Sequence, residues 1–492
     1  MWLQKVKKPI GEHVYALYPL FTMITVVVLS CRISALAGQH KWHRIPSPWT
    51  TIVSFGDNFS DSGNGAHITG GKYPSGPWSW NHRFTNGPNW IDNLILDLGG
   101  ADNEKKTHGH QPIHMRNFAH GGATTDNALL QGSLLDHAVP AMHQQVRGFM
   151  LKSHQAGGSP GYPKPNTTLY TIWTGANDCL AMGGAGAGAL RADHSKLQAA
   201  DIEESIFQSV LQLERDSHNR ATNILVLTPP PVEDMPMVKG DSRPAVRAAV
   251  RQATVSLARN LPHTLFEKLS KLGKASITDN VRMGPLHPPA HLPAHRTRAP
   301  YPITHYITVD LPRSYDHLLP HEHNGTHLVA PGPPPPAHGP PPAHGPPQPP
   351  HSLSPALNAH PALKLHKRAA PAHDSASSGG GGSLRVMVYD AYGFIKHAQE
   401  NPHCYGFNAA AMNTTCGDHP RCFDRVWIDD SNVSTAVHYW MARDINTRLH
   451  LWHMHAAGID VGKAFKNATR ARELELEMLG FSCPMHAAPT AF

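Results

Sequence analysis

Short β-branched apolar runs recur along this chain, and each is followed by residues that stop a strand. Thr51 to Phe55 ends in a Gly/Asp/Asn turn, Leu169-Tyr-Thr-Ile-Trp-Thr174 runs into Gly175, and Asn223-Ile-Leu-Val-Leu-Thr228 runs into Pro229. Leu384-Arg-Val-Met-Val-Tyr389 is a fourth run of the same design. Near-continuous apolar strands belong to parallel sheets, because helices cover both faces and leave no side for water. Apolar residues at three- and four-residue spacing fill the intervals, over Glu203 to Arg215 and Ala245 to Lys271. Strand, helix, strand in succession predicts a three-layer α/β/α sandwich around a mainly parallel sheet. Ligands in such sheets bind beyond the carboxyl ends of the strands. The turn Gly56-Asp57-Asn58 lies at one of those ends.

The pattern breaks from residue 281 to 383. Two copies of Pro-Pro-Ala-His-Gly, at 335–339 and 341–345, are followed by a closing Ser-Ser-Gly-Gly-Gly-Gly-Ser. Proline removes amide donors and Gly/Ser raises chain entropy, so this stretch is expected to be a disordered insertion without a packed core. It divides the predicted domain into a first part, 45–280, and a second part, 384–485. Histidines are frequent in the insertion, but free imidazoles on a flexible chain are not by themselves a metal site. No C-x-x-C pair or metal-spaced His/Cys set occurs, and no cofactor is implied.

The formal charge of +7 suggests a polyanion partner at first sight. The basic residues are scattered, however, with no aromatic-interleaved stripe, which argues against nucleic-acid binding. Lys5, Lys7 and Lys8 precede an apolar run from Tyr15 to Ser30, and Ala35-Leu36-Ala37 offers a small-x-small exit. That order predicts a secretory signal peptide over 1–37 and a secreted chain. The alternative is an uncleaved membrane anchor, although Arg32 ends the run short of the ~20 residues a span prefers. Sequons at Asn58, Asn166, Asn324, Asn413, Asn432 and Asn467 fit a glycoprotein. Cys179, Cys404, Cys416, Cys422 and Cys483 follow the predicted cleavage site, with Cys416–Cys422 the favoured bridge.

Four ordered blocks carry the chemistry. The first, Thr51-Ile-Val-Ser-Phe-Gly-Asp-Asn-Phe-Ser-Asp-Ser-Gly-Asn64, is followed by His82-Arg-Phe-Thr-Asn-Gly-Pro-Asn-Trp90. Then come Asn117-Phe-Ala-His-Gly-Gly-Ala-Thr-Thr125, Gly175-Ala-Asn-Asp178 and Trp427-Ile-Asp-Asp-Ser-Asn-Val-Ser-Thr-Ala-Val-His438. Pro229-Pro-Pro231 and Asn401-Pro-His-Cys-Tyr-Gly-Phe407 fall between them. In this order the blocks resemble the GDSL, or SGNH, hydrolase family, and in particular its fungal carbohydrate acetylesterase-like branch, over roughly 50–280 and 384–445. The resemblance implies a flavodoxin-like sandwich and a serine esterase acting on acetyl or carbohydrate esters. It also implies an oxyanion hole that includes the Gly122 amide and the Asn177 side chain. Glycine suits that role because nothing shields its N–H from a developing oxyanion.

Two positions depart from the family pattern. The first block normally reads Phe-Gly-Asp-Ser, and here Asn58 follows Asp57. The last block normally reads Asp-x-x-His; aligned on Thr435-Ala-Val-His438, Asp429 falls on the aspartate and Asn432 on the histidine. A carboxamide has no titratable proton near neutral pH, so it neither attacks an ester nor relays protons. The expectation is a catalytically impaired hydrolase-like protein that still accepts a small ester or acetylated carbohydrate. An active esterase using substitutes remains an alternative, with His120 the best spare base and Ser60, Ser62 and His438 poorer candidates. A non-catalytic surface protein working through its Pro/His tract is another.

Overall fold

The computed structural model describes residues 48–76, 78–100, 113–155, 164–185, 197–216, 220–279, 304–310, 383–417 and 422–456. The expected signal segment, Asn324, Asn467 and Cys483 lie outside them. All described elements belong to one compact unit, and a second unit, Arg313–Gly381, lies wholly outside the described residues.

The strands are β1 (Thr51–Gly56), β2 (His114–Asn117), the small hairpin β3 (Ser133–Leu134) and β4 (His137–Ala138), β5 (Thr168–Trp173), β6 (Asn223–Leu227), β7 (Lys274–Asp279), β8 (His305–Asp310) and β9 (Ser383–Tyr389). The main sheet runs β2-β1-β5-β6-β9-β8-β7. It is parallel from β2 to β9, with Gly56 opposite Trp173 and Leu227 opposite Tyr389, while β9–β8 and β8–β7 are antiparallel. Every residue of β1, β5 and β6 is buried, as runs without polar alternation require.

The main helices are α1 (Asn64–Ile68), α2 (Trp90–Ile95), α3 (Met142–Gln155), α4 (Ala176–Met182), α5 (Ala199–Arg215), α6 (Pro236–Lys239), α7 (Pro244–Ser270), α8 (Ala391–Glu400) and α9 (Thr435–Ala456). Strand alternation sends Phe55 and Tyr170 to one face and Trp173 to the other. On the first face Phe149 of α3 meets Phe55 at 5.7 Å and Tyr170 at 5.9 Å between ring centroids. On the second, Trp90 of α2 meets Trp173 at 5.9 Å and His438 of α9 meets it at 6.3 Å. Helices therefore cover both faces, which is the expected α/β/α sandwich.

One boundary needs correction. The tract expected to be an uninterrupted insertion, 281–383, contains β8, which lies between β9 and β7 and carries the sheet's antiparallel edge. Its His-Tyr-Ile-Thr-Val-Asp sequence is strand-forming, but the prolines on either side mask it in any compositional reading. The Pro-Pro-Ala-His-Gly copies fall outside the described residues. Among the described residues no helix is long and apolar enough to cross a membrane, and no group of three His, Cys, Asp or Glu side chains is arranged to hold a metal.

Candidate active site

The chain leaves β1 through a turn that its neighbour strand dictates. Gly56 has φ +143°, and a Cβ there would lie 2.0 Å from the Trp173 carbonyl oxygen, so only glycine fits. Asp57 N–H then donates to that same carbonyl at 3.3 Å, and Asn58 follows half-buried at the strand's carboxyl end.

A buried carboxylate ties this turn to the second block. Asp61 accepts from the amides of Gly63 and Asn64, both at 2.7 Å, Gly65 at 2.8 Å and Gly121 at 2.7 Å. Burial pushes its carboxyl upward despite those donors. Asn117 adds a second tie, donating to the Ser60 carbonyl at 2.6 Å and the Ser62 hydroxyl at 2.7 Å. Gly122 sits in the left-handed region at φ +75°, and a Cβ there would lie 2.0 Å from the Ser133 carbonyl oxygen.

The third block is held by a second buried acid. Asp178 accepts from the Thr125 amide at 3.0 and 3.1 Å and from its hydroxyl at 3.0 Å, and burial pushes its carboxyl up to about 6. Its neighbour Asn177 donates from Nδ2 to the Ala123 carbonyl at 2.8 Å, beside Gly122. Gly122 and Asn177 are thus brought together. The Asn58 and Gly122 main-chain amides have no acceptor among the described residues. The first of these donors escaped the sequence reading, because a main-chain N–H is independent of which side chain the residue carries.

The last block folds as a narrow loop closed by the Trp427–Val433 bridge, and the neighbouring Cys416–Cys422 disulfide segment abuts it, with Cys416 N–H donating to the Ile428 carbonyl at 3.1 Å. Cys404 is disulfide-bonded as well, and Cys179 is a buried free thiol. Asp429 Oδ1 accepts from the amides of Ser431 at 2.8 Å and Asn432 at 2.6 Å, while Oδ2 accepts from Asn432 Nδ2 at 2.9 Å. Burial is the main influence on Asp429 and raises its pKa. Asn58 Nδ2 completes the line by donating to Asn432 Oδ1. The structure therefore brings Asn58, Asn432 and Asp429 into one continuous relay.

The amide orientations follow from that order. An ionised carboxylate only accepts, so Asn432 turns its NH₂ to Asp429 and its oxygen to Asn58, which must answer with NH₂. The polarity equals that of a neutral imidazole donating to an aspartate and accepting from a hydroxyl. What Asn58 and Asn432 lack is the capacity to take up and release a proton.

The alternative nucleophiles and bases have other partners. Ser60 Oγ accepts from Trp90 Nε1 at 3.1 Å, and Ser62 Oγ accepts from Asn117 as described. His120 Nδ1 lies 2.7 Å from the Phe118 carbonyl, and burial lowers its pKa. His438 is fully buried against Trp173, and burial drops its pKa to about 3. Among the sequons, Asn166 and Asn413 are exposed whereas Asn432 is buried.

Comparison with known proteins bears on part of this geometry. The family model described as GDSL-like Lipase/Acylhydrolase matches residues 52–288, which takes in Asn58, Gly122 and Asn177 and leaves out Asp429 and Asn432. The match supports a GDSL-like lipase/acylhydrolase relationship, and ester-acting chemistry in general, for that stretch. The chain is 26% identical over 231 residues to the phosphatidylcholine-sterol acyltransferase of Aeromonas hydrophila, an alignment covering 46% of this chain and 59% of that protein. It thus spans about three-fifths of that relative's length. Crystallised phospholipase A1 from Streptomyces albidoflavus NA297 is 17% identical, with 44% of this chain and 75% of that one covered, at a TM-score of 0.24; a superposition that loose carries no weight.

Proposed function

We propose that this chain is a secreted GDSL-like protein that binds a small acyl compound without hydrolysing it. In this reading Asn58 stands at the nucleophile position and Asn432 at the base position. The observation that carries it is the carboxamide-to-carboxamide hydrogen bond between Asn58 and Asn432, in line with Asp429. A proton leaving a hydroxyl at position 58 would need an acceptor at position 432, and the amide oxygen there is far too weak a base. Asn58, Gly122 and Asn177 still present N–H donors suited to a carbonyl oxygen. The resemblance to the fungal acetylesterase-like branch makes an acetylated sugar the first ligand to try. No arrangement among the described residues favours substitute catalysis, because Ser60, Ser62, His120 and His438 all have other environments.

The test compares wild type with Asn58→Ser, Asn432→His and the double variant on 4-nitrophenyl acetate. Wild type is expected to show no more than the ~10³–10⁴-fold over buffer that oxyanion donors alone supply, while the double variant hydrolyses the ester at least ~10³ times faster than wild type. A wild-type rate equal to the double variant's would overturn the reading.

A further inference from the structure

The unused hydrogen-bonding groups at the site differ in kind, and that difference selects a ligand. The main-chain N–H groups of Asn58 and Gly122 have no acceptor among the described residues, and Asn177 Nδ2 spends one of its two hydrogens on Ala123. Asn58 Oδ1 receives no hydrogen bond from any described residue, because the relay from Asp429 commits that side chain's NH₂ to Asn432. These groups converge through short ties. His120 N–H donates to the Gly56 carbonyl at 3.1 Å, Gly121 N–H to Asp61, and Asp57 N–H to the Trp173 carbonyl two residues before Gly175. The site accordingly offers several donors beside one acceptor.

We propose, building on the reading of Asn58 and Asn432 as a non-catalytic pair, that the site takes a secondary carboxamide in preference to an ester. The amide carbonyl oxygen meets the Asn58, Gly122 and Asn177 donors, and the amide N–H donates to Asn58 Oδ1. An ester satisfies the first set equally well, but it sets an ether oxygen against the Asn58 carbonyl, lone pair to lone pair. A free carboxylate brings two acceptors and a charge into a neighbourhood already holding Asp57, Asp61, Asp178, Asp429 and Asp430, beside the His67 and His120 rings and Lys152. Of the three acyl groups, the amide alone has a donor where the protein has an unmet acceptor. N-acetylated amino sugars and N-acylated peptides share this chemistry.

Saturation-transfer NMR with 4-nitroacetanilide, 4-nitrophenyl acetate and N-methyl-4-nitroacetanilide tests the contact: the ester replaces the amide NH by oxygen, and the N-methyl compound replaces its hydrogen by a methyl group. The anilide is expected to bind wild type about fivefold more tightly than either of the others, the worth of one neutral hydrogen bond. Asn58→Ala should bring the three within about twofold of each other. Comparing N-acetylglucosamine with N-acetylglycine N-methylamide then separates the sugar source from the peptide source. Equal binding of anilide and N-methylanilide, tighter binding of the ester, or no binding of any probe would overturn the preference, and all three need only wild-type protein. Ester hydrolysis by Asn58→Ser/Asn432→His reports separately on the scaffold. If that variant works while the amide preference is absent, this inference falls alone; if it is inert and no probe binds, both fall.

Discussion

The Gly122 side of the site and the Asn432 side meet at the end of β1, yet they depend on different parts of the polypeptide. On the first side the functional groups are mainly main-chain amides, aimed by two glycine conformations and by the buried acids Asp61 and Asp178. On the second side everything of chemical consequence is a side chain in line: Asn58, Asn432 and Asp429. In the proposed reading, side-chain chemistry is erased by two substitutions that leave the hydrogen-bond polarity intact, whereas main-chain chemistry has no residue to substitute without moving the backbone. A site of this kind loses its reaction long before it loses its shape.

The strongest attempt to break that contrast is restoration of the reaction. If the Gly122 side is still poised, Asn58→Ser/Asn432→His should exceed wild type by ~10³–10⁴ in 4-nitrophenyl acetate turnover, with each single variant within about tenfold of wild type, because residues of one relay act as a unit. A double variant that folds, by circular dichroism, and stays inert would show that the amide side has decayed too.

The supports beneath the two sides respond to acid in opposite senses. His438, under the Asn432 loop, has its pKa lowered from 6.5 to about 3 by burial. The unfolded chain therefore takes its proton first, and stability falls as pH drops from 6.5 towards 3. Asp178, under the Gly122 side, is raised from 3.8 to about 6, also by burial. Here the folded chain takes the proton first, and stability rises as pH drops from about 6 to 3.8. Between pH 7 and 4, denaturant titrations should show His438→Phe losing less stability than wild type by on the order of 3 kcal/mol, and Asp178→Asn losing more by on the order of 2 kcal/mol. Curves parallel to wild type for both variants would contradict the assignment.

Gly122→Ala should disturb the frame itself. A methyl group 2.0 Å from the Ser133 carbonyl oxygen, at φ +75°, forces the second-block loop away from β3. The expected loss is about 3 kcal/mol or more in thermal or chemical unfolding, accompanied by loss of ligand binding. Unchanged stability would mean that the loop is soft, and the contrast between the two sides would shrink.

Much of this was legible in the amino-acid sequence, for reasons particular residues make plain. β1, β5, β6 and β9 announce themselves because burial on both faces demands uninterrupted apolar runs such as Asn223-Ile-Leu-Val-Leu. β7 and β8 do not, being the antiparallel strands at one end of the sheet with polar residues such as Lys274 and Thr308, and β8 is also flanked by proline-rich sequence. β2, His-Met-Arg-Asn, lies at the other edge and is partly exposed, so it reads as loop. Asn58, Gly122, Asn177, Asp429 and Asn432 were all named from ordered motifs, and the fold gathers them. The anchoring of Asp61 to Gly121, and of Asp178 to Thr125, left no trace, because a carboxylate bonded to distant main-chain amides has no spacing rule.

The smallest effect is the most discriminating one for the side-chain half. In Asn58→Ser alone, a serine hydroxyl can donate to Asn432 Oδ1 as the amide NH₂ does, so the line to Asp429 keeps its polarity. Position 58 is only half-buried, and little packing is removed. The stability change should therefore stay within about 1 kcal/mol, read as a melting shift of a few degrees at most, since one neutral hydrogen bond is exchanged for another. A loss several times larger would mean that Asn58 is a structural residue chosen for its fit, and that position 58 cannot be returned to a nucleophile without cost.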